Sequence, residues 1–291
     1  MRFYTPLRYP GGKGKLAYYL KEVIKENSLH DKSYIEPYAG GAAVALELLM
    51  QEYVRTIHIN DIDPAIYGFW HSVINNTDEL CKLISDCPVN MDIWNTQKLI
   101  LANSENHSKL ELGFAAFFLN RTNRSGILKA GVIGGKEQTG NWKIDARFNK
   151  SDLIDRIQSI ANYRSRIFIH NDDTVKLLKK LPQELLTDSL LYLDPPYYVK
   201  GQGLYRNFYS HDDHVLVKET ISNSKAKNWL VSYDNADEIK QIYNEFRIME
   251  YSLQYTAQDK KVGGEVMIFS DSIKIPDLVI GKKSSMLEQA A

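Results

Sequence analysis

The sequence predicts an α/β fold, a sheet with helices on both faces, interrupted by a mainly helical insert. Two observations predict it. Short apolar strands, each ending in a polar cluster and followed by a helical run, recur at both ends of the chain. Between them, from about Asn75 to Asn162, the pattern changes to helices followed by a glycine-rich basic segment. A chain of 291 residues, 44% hydrophobic and 25% charged, can bury one large core or a core plus a smaller unit, and is neither disordered nor collagen-like. We therefore expect a discontinuous first domain over 1–74 and 163–276, an insert over 75–162 and a flexible tail over 277–291.

In chain order, "SYIEPYAGGAAVALELLM" from Ser33 reads as strand, glycine turn, helix, and "IHINDIDPAIYGFWHSVI" from Ile57 repeats it. The insert opens with helical runs at "ELCKLISDC", "DIWNTQKLILAN" and "KLELGFAAFFLNR". In the last of these, Phe114, Phe117 and Phe118 fall at helical spacing and read as core. The segment "SGILKAGVIGGKEQTGNWKI", with alternating Ile127, Val132, Ile133, Trp142 and Ile144, reads as a long β-hairpin with a flexible tip. The α/β pattern then resumes with "RIFIHNDDTVKLLKKL" and "SLLYLDPPYY", followed by strands at "WLVSY" and "VMIFS" and a hairpin around "DKKVGGEVMIFS".

Composition removes several classes. Cys81 and Cys87 lie six apart without a nearby histidine pair, so neither a disulfide framework nor a metal site is expected. No stretch approaches the ~20 apolar residues that span a bilayer, and the N-terminus lacks a signal-peptide core, so a cytoplasmic protein without membrane partners is expected. Formal charge is zero, yet Asn120 to Lys150 carries seven basic residues against two acidic ones. That local excess leans toward phosphate binding.

The stretch "RYPGGKGKL" suggests a phosphate-binding Walker loop, but its spacing rules this out. The first required glycine falls on Tyr9, and Leu16 replaces the hydroxyl that would hold Mg²⁺. The most specific string is instead Asp194-Pro195-Pro196-Tyr197 at the end of "LLYL". Both prolines fix φ and remove N–H donors, which leaves a rigid elbow. At the carboxyl end of a strand in an open α/β sheet, such an elbow lies in the ligand crevice. An exocyclic amine of adenine or cytosine is a poor nucleophile because its lone pair is conjugated. A carboxylate (Asp194) and a carbonyl (Pro195) accepting its two N–H bonds would favour a pyramidal nitrogen and stabilise the growing positive charge, with Tyr197 offering a stacking face.

With these residues in order, the chain resembles the Dam-like DNA adenine-N6 methyltransferases. Tyr9-Pro10-Gly11-Gly12-Lys13 matches the family's aromatic-x-Gly-Gly-Lys element, and Glu36-Pro37-Tyr38-Ala39-Gly40 matches its Glu-Pro-aromatic-x-Gly turn. "HIND" supplies the acidic residue, Asp61, after the second strand. The resemblance covers about Leu7 to Ser270 and implies a Rossmann-like sheet that binds S-adenosyl-L-methionine. Spacing alone allows the same for Gly40, Gly41 and Asp61, which could meet a ligand's backbone and ribose hydroxyls, although NAD would fit equally well. By the resemblance, Tyr9, Gly11, Gly12 and Lys13 form one wall of the donor pocket, and Asp173 meets the donor's adenine. An N-cap for the following helix is an equal reading of Asp173.

The family's counterpart of "NRTNRSGIL" enters DNA, which makes Arg121, Arg124, Ser125, Lys129 and Lys136 candidate contacts with double-stranded DNA. Here the chain departs from the best-known members, which carry an aromatic-Asn-Gly-Leu run where this one has Arg124-Ser125-Gly126-Ile127. The departure speaks against a GATC target. A duplex hides its adenine, so a loop bearing Tyr205, Asn207 and Tyr209 is expected to close over a base rotated out of the stack, with a surface Ω-loop as the equal alternative. His211 and His214 are expected to start a helix rather than to act as catalysts. Expected partners are DNA and, in a restriction–modification setting, a cognate restriction endonuclease; a monomer or weak dimer is expected. The rival readings are a cytosine-N4 methyltransferase with the same chemistry and a DNA-binding module without activity.

Overall fold

The structure, a computed structural model, describes residues 4–8, 13–199, 209–254, 262–278 and 280. After a 3₁₀ turn at Lys13–Leu16, the elements run α1 (Ala17–Glu26), β1 (Ser33–Glu36), α2 (Ala43–Met50), β2 (Thr56–Asn60) and α3 (Pro64–Asn75). Four helices follow: α4 (Thr77–Asp86), α5 (Met91–Ala102), α6 (Lys109–Thr122) and α7 (Lys150–Ala161). The chain continues through β3 (Ile167–His170), α8 (Thr174–Lys180), α9 (Gln183–Thr187), β4 (Ser189–Leu193), α10 (His211–Ser222), β5 (Asn228–Asp234), α11 (Asp237–Ile242), β6 (Arg247–Gln254) and β7 (Val262–Phe269).

Local chemistry explains the helix starts. Asp63 caps α3 ahead of Pro64, a position where a missing N–H costs nothing. Ser108 with Glu111, and Ser210 with Asp213, form reciprocal capping boxes at α6 and α10. Strand β4, "SLLYL", is buried at every position, as a central parallel strand covered on both faces must be.

The seven strands form one sheet in the order β3-β2-β1-β4-β5-β7-β6. Strands β1 to β5 are parallel, and β7 runs antiparallel between β5 and β6. The strand order reverses between β1 and β4, where Tyr34 pairs with Leu190 and Ile35 with Leu191. That reversal opens a crevice beyond the carboxyl ends of both strands. One face of the sheet, including Ile35, Leu191, Leu193 and Val231, packs against α8, α10 and α11. The other face, including Tyr34, Ile57 and Tyr192, packs against α1, α2 and α3, and its apolar cluster runs on without a break into α4, α5, α6 and α7. Phe114, Phe117 and Phe118 are buried there, with Phe117 stacked on Phe69 at 5.7 Å.

The long hairpin expected over 125–144 is not formed. Of its ladder only one antiparallel bridge remains, Asn123 to Val132, and the rest is a series of turns. Side-chain amides have taken the places of strand partners. Asn123 Nδ2 donates to the carbonyls of Ile127 and Leu128, and Gln138 Nε2 donates to those of Ile133 and Gly135 while its Oε1 accepts from Ile144 N–H. Positive φ at Ser125, Gly126, Gly134, Gly135 and Gln138 turns the chain too often for a strand to extend. The tail over 277–291 falls largely outside the described residues.

Candidate active site at the carboxyl ends of the strands

Asp194 leaves β4 at the reversal point and is held from the neighbouring strand. Ser232 Oγ of β5 donates to Asp194 Oδ1 at 2.8 Å, and the buried Tyr192 hydroxyl lies 2.8 Å from the same Ser232 oxygen. Two residues along β5, Asp234 accepts from the backbone N–H groups of Tyr198 at 2.9 Å and Val199 at 3.0 Å. From β7, Glu265 Oε1 accepts the Tyr197 hydroxyl at 2.7 Å. Asp234 and Glu265 are both buried and sit directly opposite each other in the β5–β7 ladder. The Asp194-Pro195-Pro196-Tyr197 elbow is thus fixed at its carboxylate, at its ring and at the two amides beyond it, with Pro195 itself buried.

The turn after β1 faces this elbow. Glu36 is buried at the end of β1 and accepts from Ala45 N–H of α2 at 3.2 Å. Burial, and then the nearby Asp194 charge, push its carboxyl up to about 8. Gly40 and Ala42 take positive φ, 47° each, so the chain reverses tightly there. Asp61, just beyond β2, ties that turn down: its Oδ2 accepts from Gly40 N–H at 3.2 Å and its Oδ1 from Asp63 N–H at 2.8 Å. Burial raises Asp61 to about 7 against these two hydrogen bonds. The Trp70 indole donates to the Gly40 carbonyl at 2.8 Å and completes the support.

Asp173 caps α8, accepting from Val175 and Lys176 N–H, as one of its two expected roles requires. Beside it, Tyr38 of the β1 turn meets Tyr209 hydroxyl to hydroxyl at 3.0 Å, and Tyr209 also packs edge-on against His214. His214 is fully buried on α10 with its Nδ1 3.0 Å from the Tyr233 hydroxyl, and burial lowers it to about 4. A neutral, enclosed imidazole of that kind is a packing group.

The sequence that builds this acidic elbow and tightly turned crevice matches, over residues 9–257, the family of D12 class N6 adenine-specific DNA methyltransferases. The chain belongs to that family. As an adenine-specific DNA methyltransferase it also resembles the type II methyltransferase M.MjaIII of Methanocaldococcus jannaschii, at 22% identity over 83% of this chain and 88% of that one. Among solved structures it resembles the rRNA methyltransferase AviRa of Streptomyces viridochromogenes, with a TM-score of 0.40 and 13% identity over 91% of this chain and 88% of that one. A type I restriction-enzyme modification subunit from Vibrio vulnificus gives a TM-score of 0.37 and 9% identity over 91% of this chain and 48% of that one.

Within the methyltransferase, the other expected residues fall in three places. Tyr9, Gly11 and Gly12 lie outside the described residues, as do Tyr205 and Asn207, while Lys13 begins the first 3₁₀ turn. Arg124, Ser125, Lys129 and Lys136 are all exposed on the turns after α6. Arg121 is half-buried: its Nε donates to the Arg147 carbonyl at 2.7 Å and its Nη1 to the Pro6 carbonyl at 3.4 Å. Sequence reasoning missed Ser232, Asp234 and Glu265, although a serine and an acid alternating in "VSYD", and a glutamate inside "EVMIF", are polar residues in strands of otherwise buried character. It also missed Asn120. That side chain, buried at the end of α6, accepts from Arg8 N–H at 2.7 Å and donates to the carbonyls of Arg8 at 2.6 Å and Gly126 at 2.9 Å.

No helix among the described residues is long and apolar enough to cross a membrane. Nor do the described residues contain a group of three metal-ligating side chains.

Proposed function

We propose that the methyltransferase uses S-adenosyl-L-methionine to methylate N6 of an adenine rotated out of duplex DNA, with the base held at the Asp194 elbow. The observation that carries this reading is the threefold fastening of that elbow by Ser232, Asp234 and Glu265 at the point where the strand order reverses. A site fixed before its ligand arrives spends no energy on reorganisation during the reaction.

The residues present fit the donor. The turn at Ala39 to Ala42 brings backbone close to the crevice, Glu36 and Asp61 supply acceptors on either side, and Tyr38 with Asp173 lines the far end. Bound there, the donor supplies an electrophilic methyl group. The chain's own residues do the rest. The Asp194 carboxylate and the Pro195 carbonyl accept the two N–H bonds of the exocyclic amine, draw its lone pair out of conjugation and bear the positive charge that grows on nitrogen. Tyr197, its hydroxyl anchored on Glu265, offers a ring face to the base. Segment 75–162, through the exposed Arg124, Ser125, Lys129 and Lys136, reads the target sequence.

The test is methyl transfer to unmethylated duplex DNA, followed by mass spectrometry of the hydrolysed bases. We expect N6-methyladenine; N4-methylcytosine would replace the adenine reading. Asp194→Ala should lower the single-turnover rate by about 10³-fold while DNA binding stays within about twofold. A variant with full activity would dismiss the elbow as the site of chemistry.

A further inference from the structure

Four arginines gather where the N-terminal segment crosses the end of α6 and the face of α7. Arg121 of α6 donates to the Pro6 carbonyl, Arg156 of α7 donates through Nη1 to the Thr5 carbonyl at 3.1 Å, and Arg8 is fixed through its backbone by Asn120. Arg147 joins them from the turn before α7, since its own carbonyl accepts from Arg121 Nε. Their charges act on one another: Arg121 is opposed by Arg8, Arg156 and Arg147, and Arg8 by Arg147. Burial, and then these like charges, lower Arg121 to about 10.

The acid in the group is Asp152, and it is bound to Arg156 at 2.8 Å. Arg8 Nη1 is buried and has no hydrogen-bond partner among the described residues. Four guanidinium groups thus gather around a single carboxylate among the described residues, Asp152, whose charge reaches Arg121 but which is bound to Arg156. An uncompensated charge in such a place is costly, and the cost is removed when an anion enters. Guanidinium forks fit the paired oxygens of a phosphodiester. The basin is also reachable from outside: Arg147 is exposed, and its guanidinium lies 5.8 Å over the ring of Trp142, itself 67% exposed. A flat aromatic surface beside a cation suits a sugar next to a phosphate.

We propose that Arg8, Arg121, Arg147 and Arg156 form a clamp for a backbone phosphate of the DNA substrate, which makes the N-terminal segment part of the DNA interface. The clamp rests on the reading of duplex DNA as substrate. It carries no sequence preference, because it grips backbone rather than base edges.

Duplex binding measured by fluorescence anisotropy across a salt series tests it, using wild type, Arg147→Gln, Arg147→Lys, Arg156→Gln and, as a control on the opposite face of the sheet, Lys179→Gln. Arg147→Gln and Arg156→Gln should each weaken binding about tenfold near 0.1 M salt and flatten the slope of log K against log salt by up to about 0.9, the value of one whole phosphate contact, equally on target and unrelated duplexes. Arg147→Lys should recover most of the slope, and Lys179→Gln should match wild type in slope, affinity and methylation rate. Arg156 also carries structural bonds, so its variant counts only if its melting temperature matches wild type; Arg147, whose side chain meets only the Trp142 ring among the described contacts, stands without that condition. Wild-type slope and affinity in Arg147→Gln would overturn the clamp. Absence of any methylation by wild type would instead overturn the substrate reading, so the two failures are distinct.

Discussion

Asp234 and Glu265 are two buried carboxylates placed side by side across the β5–β7 ladder, an arrangement that like charges disfavour. Both are answered by the elbow, Asp234 by two amides and Glu265 by the Tyr197 hydroxyl. The elbow and the acids therefore hold each other: a shift of the elbow costs Asp234 two amide donors and Glu265 the Tyr197 hydroxyl. Glu265→Ala is expected to release the Tyr197 ring and lower the single-turnover rate by about 10²-fold, with donor affinity, read by calorimetry, nearly unchanged. Ser232→Ala should cost about tenfold, and Ser232→Thr, which keeps the hydroxyl, should restore the rate. A parallel loss of donor affinity would mean that these residues merely hold the fold. The elbow itself was legible because Pro-Pro is rare and mechanically specific. Its holders were not, since Ser232 and Glu265 lie 38 and 68 residues from the groups they grip and no local pattern announces such a pairing.

Helices α3 and α6 approach closely where Gly68 and Gly113 meet backbone to backbone. A Cβ on Gly113 would stand 2.5 Å from the Gly68 carbonyl oxygen. Gly113→Val is expected to destabilise the protein by about 1–3 kcal/mol or more, visible as a lower melting temperature with the rate per folded molecule preserved. Gly126→Ala faces two obstacles, a φ of +77° and an Arg8 carbonyl oxygen that the new methyl would overlap, and should weaken DNA binding as the turn after α6 lifts from the N-terminal segment. The strands and helices around the sheet were legible because their apolar periods match their neighbours. The hairpin was misread for a stated reason: alternation of Ile127, Val132 and Ile133 mimics a strand, while the amides of Asn123 and Gln138 outcompete the ladder for its carbonyls.

At the scale of the molecule, the crevice collects acids that prefer to stay protonated. Glu36 titrates near 8 in the fold instead of 4.5, chiefly through burial, so the folded chain holds its proton where the unfolded chain has lost it. The sign follows: this contribution to stability is complete below about pH 4.5 and is lost as pH rises toward 8. The melting temperature of the free protein should accordingly fall across that interval, and Glu36→Gln should flatten the fall. Parallel curves for the two proteins would contradict it. The N-terminal segment has a consequence of another kind. Thr5 Oγ1 donates to the Gly41 carbonyl in the turn after β1, yet the Thr5 carbonyl is held by Arg156, 151 positions away, and Arg8 by Asn120, 112 positions away. Contacts so distant in sequence form late in synthesis, because their partners must first be made. A nascent chain that ends before α7 can therefore hold Thr5 only through the Gly41 turn, and the second grip on that residue, from Arg156, is added once α7 has been made.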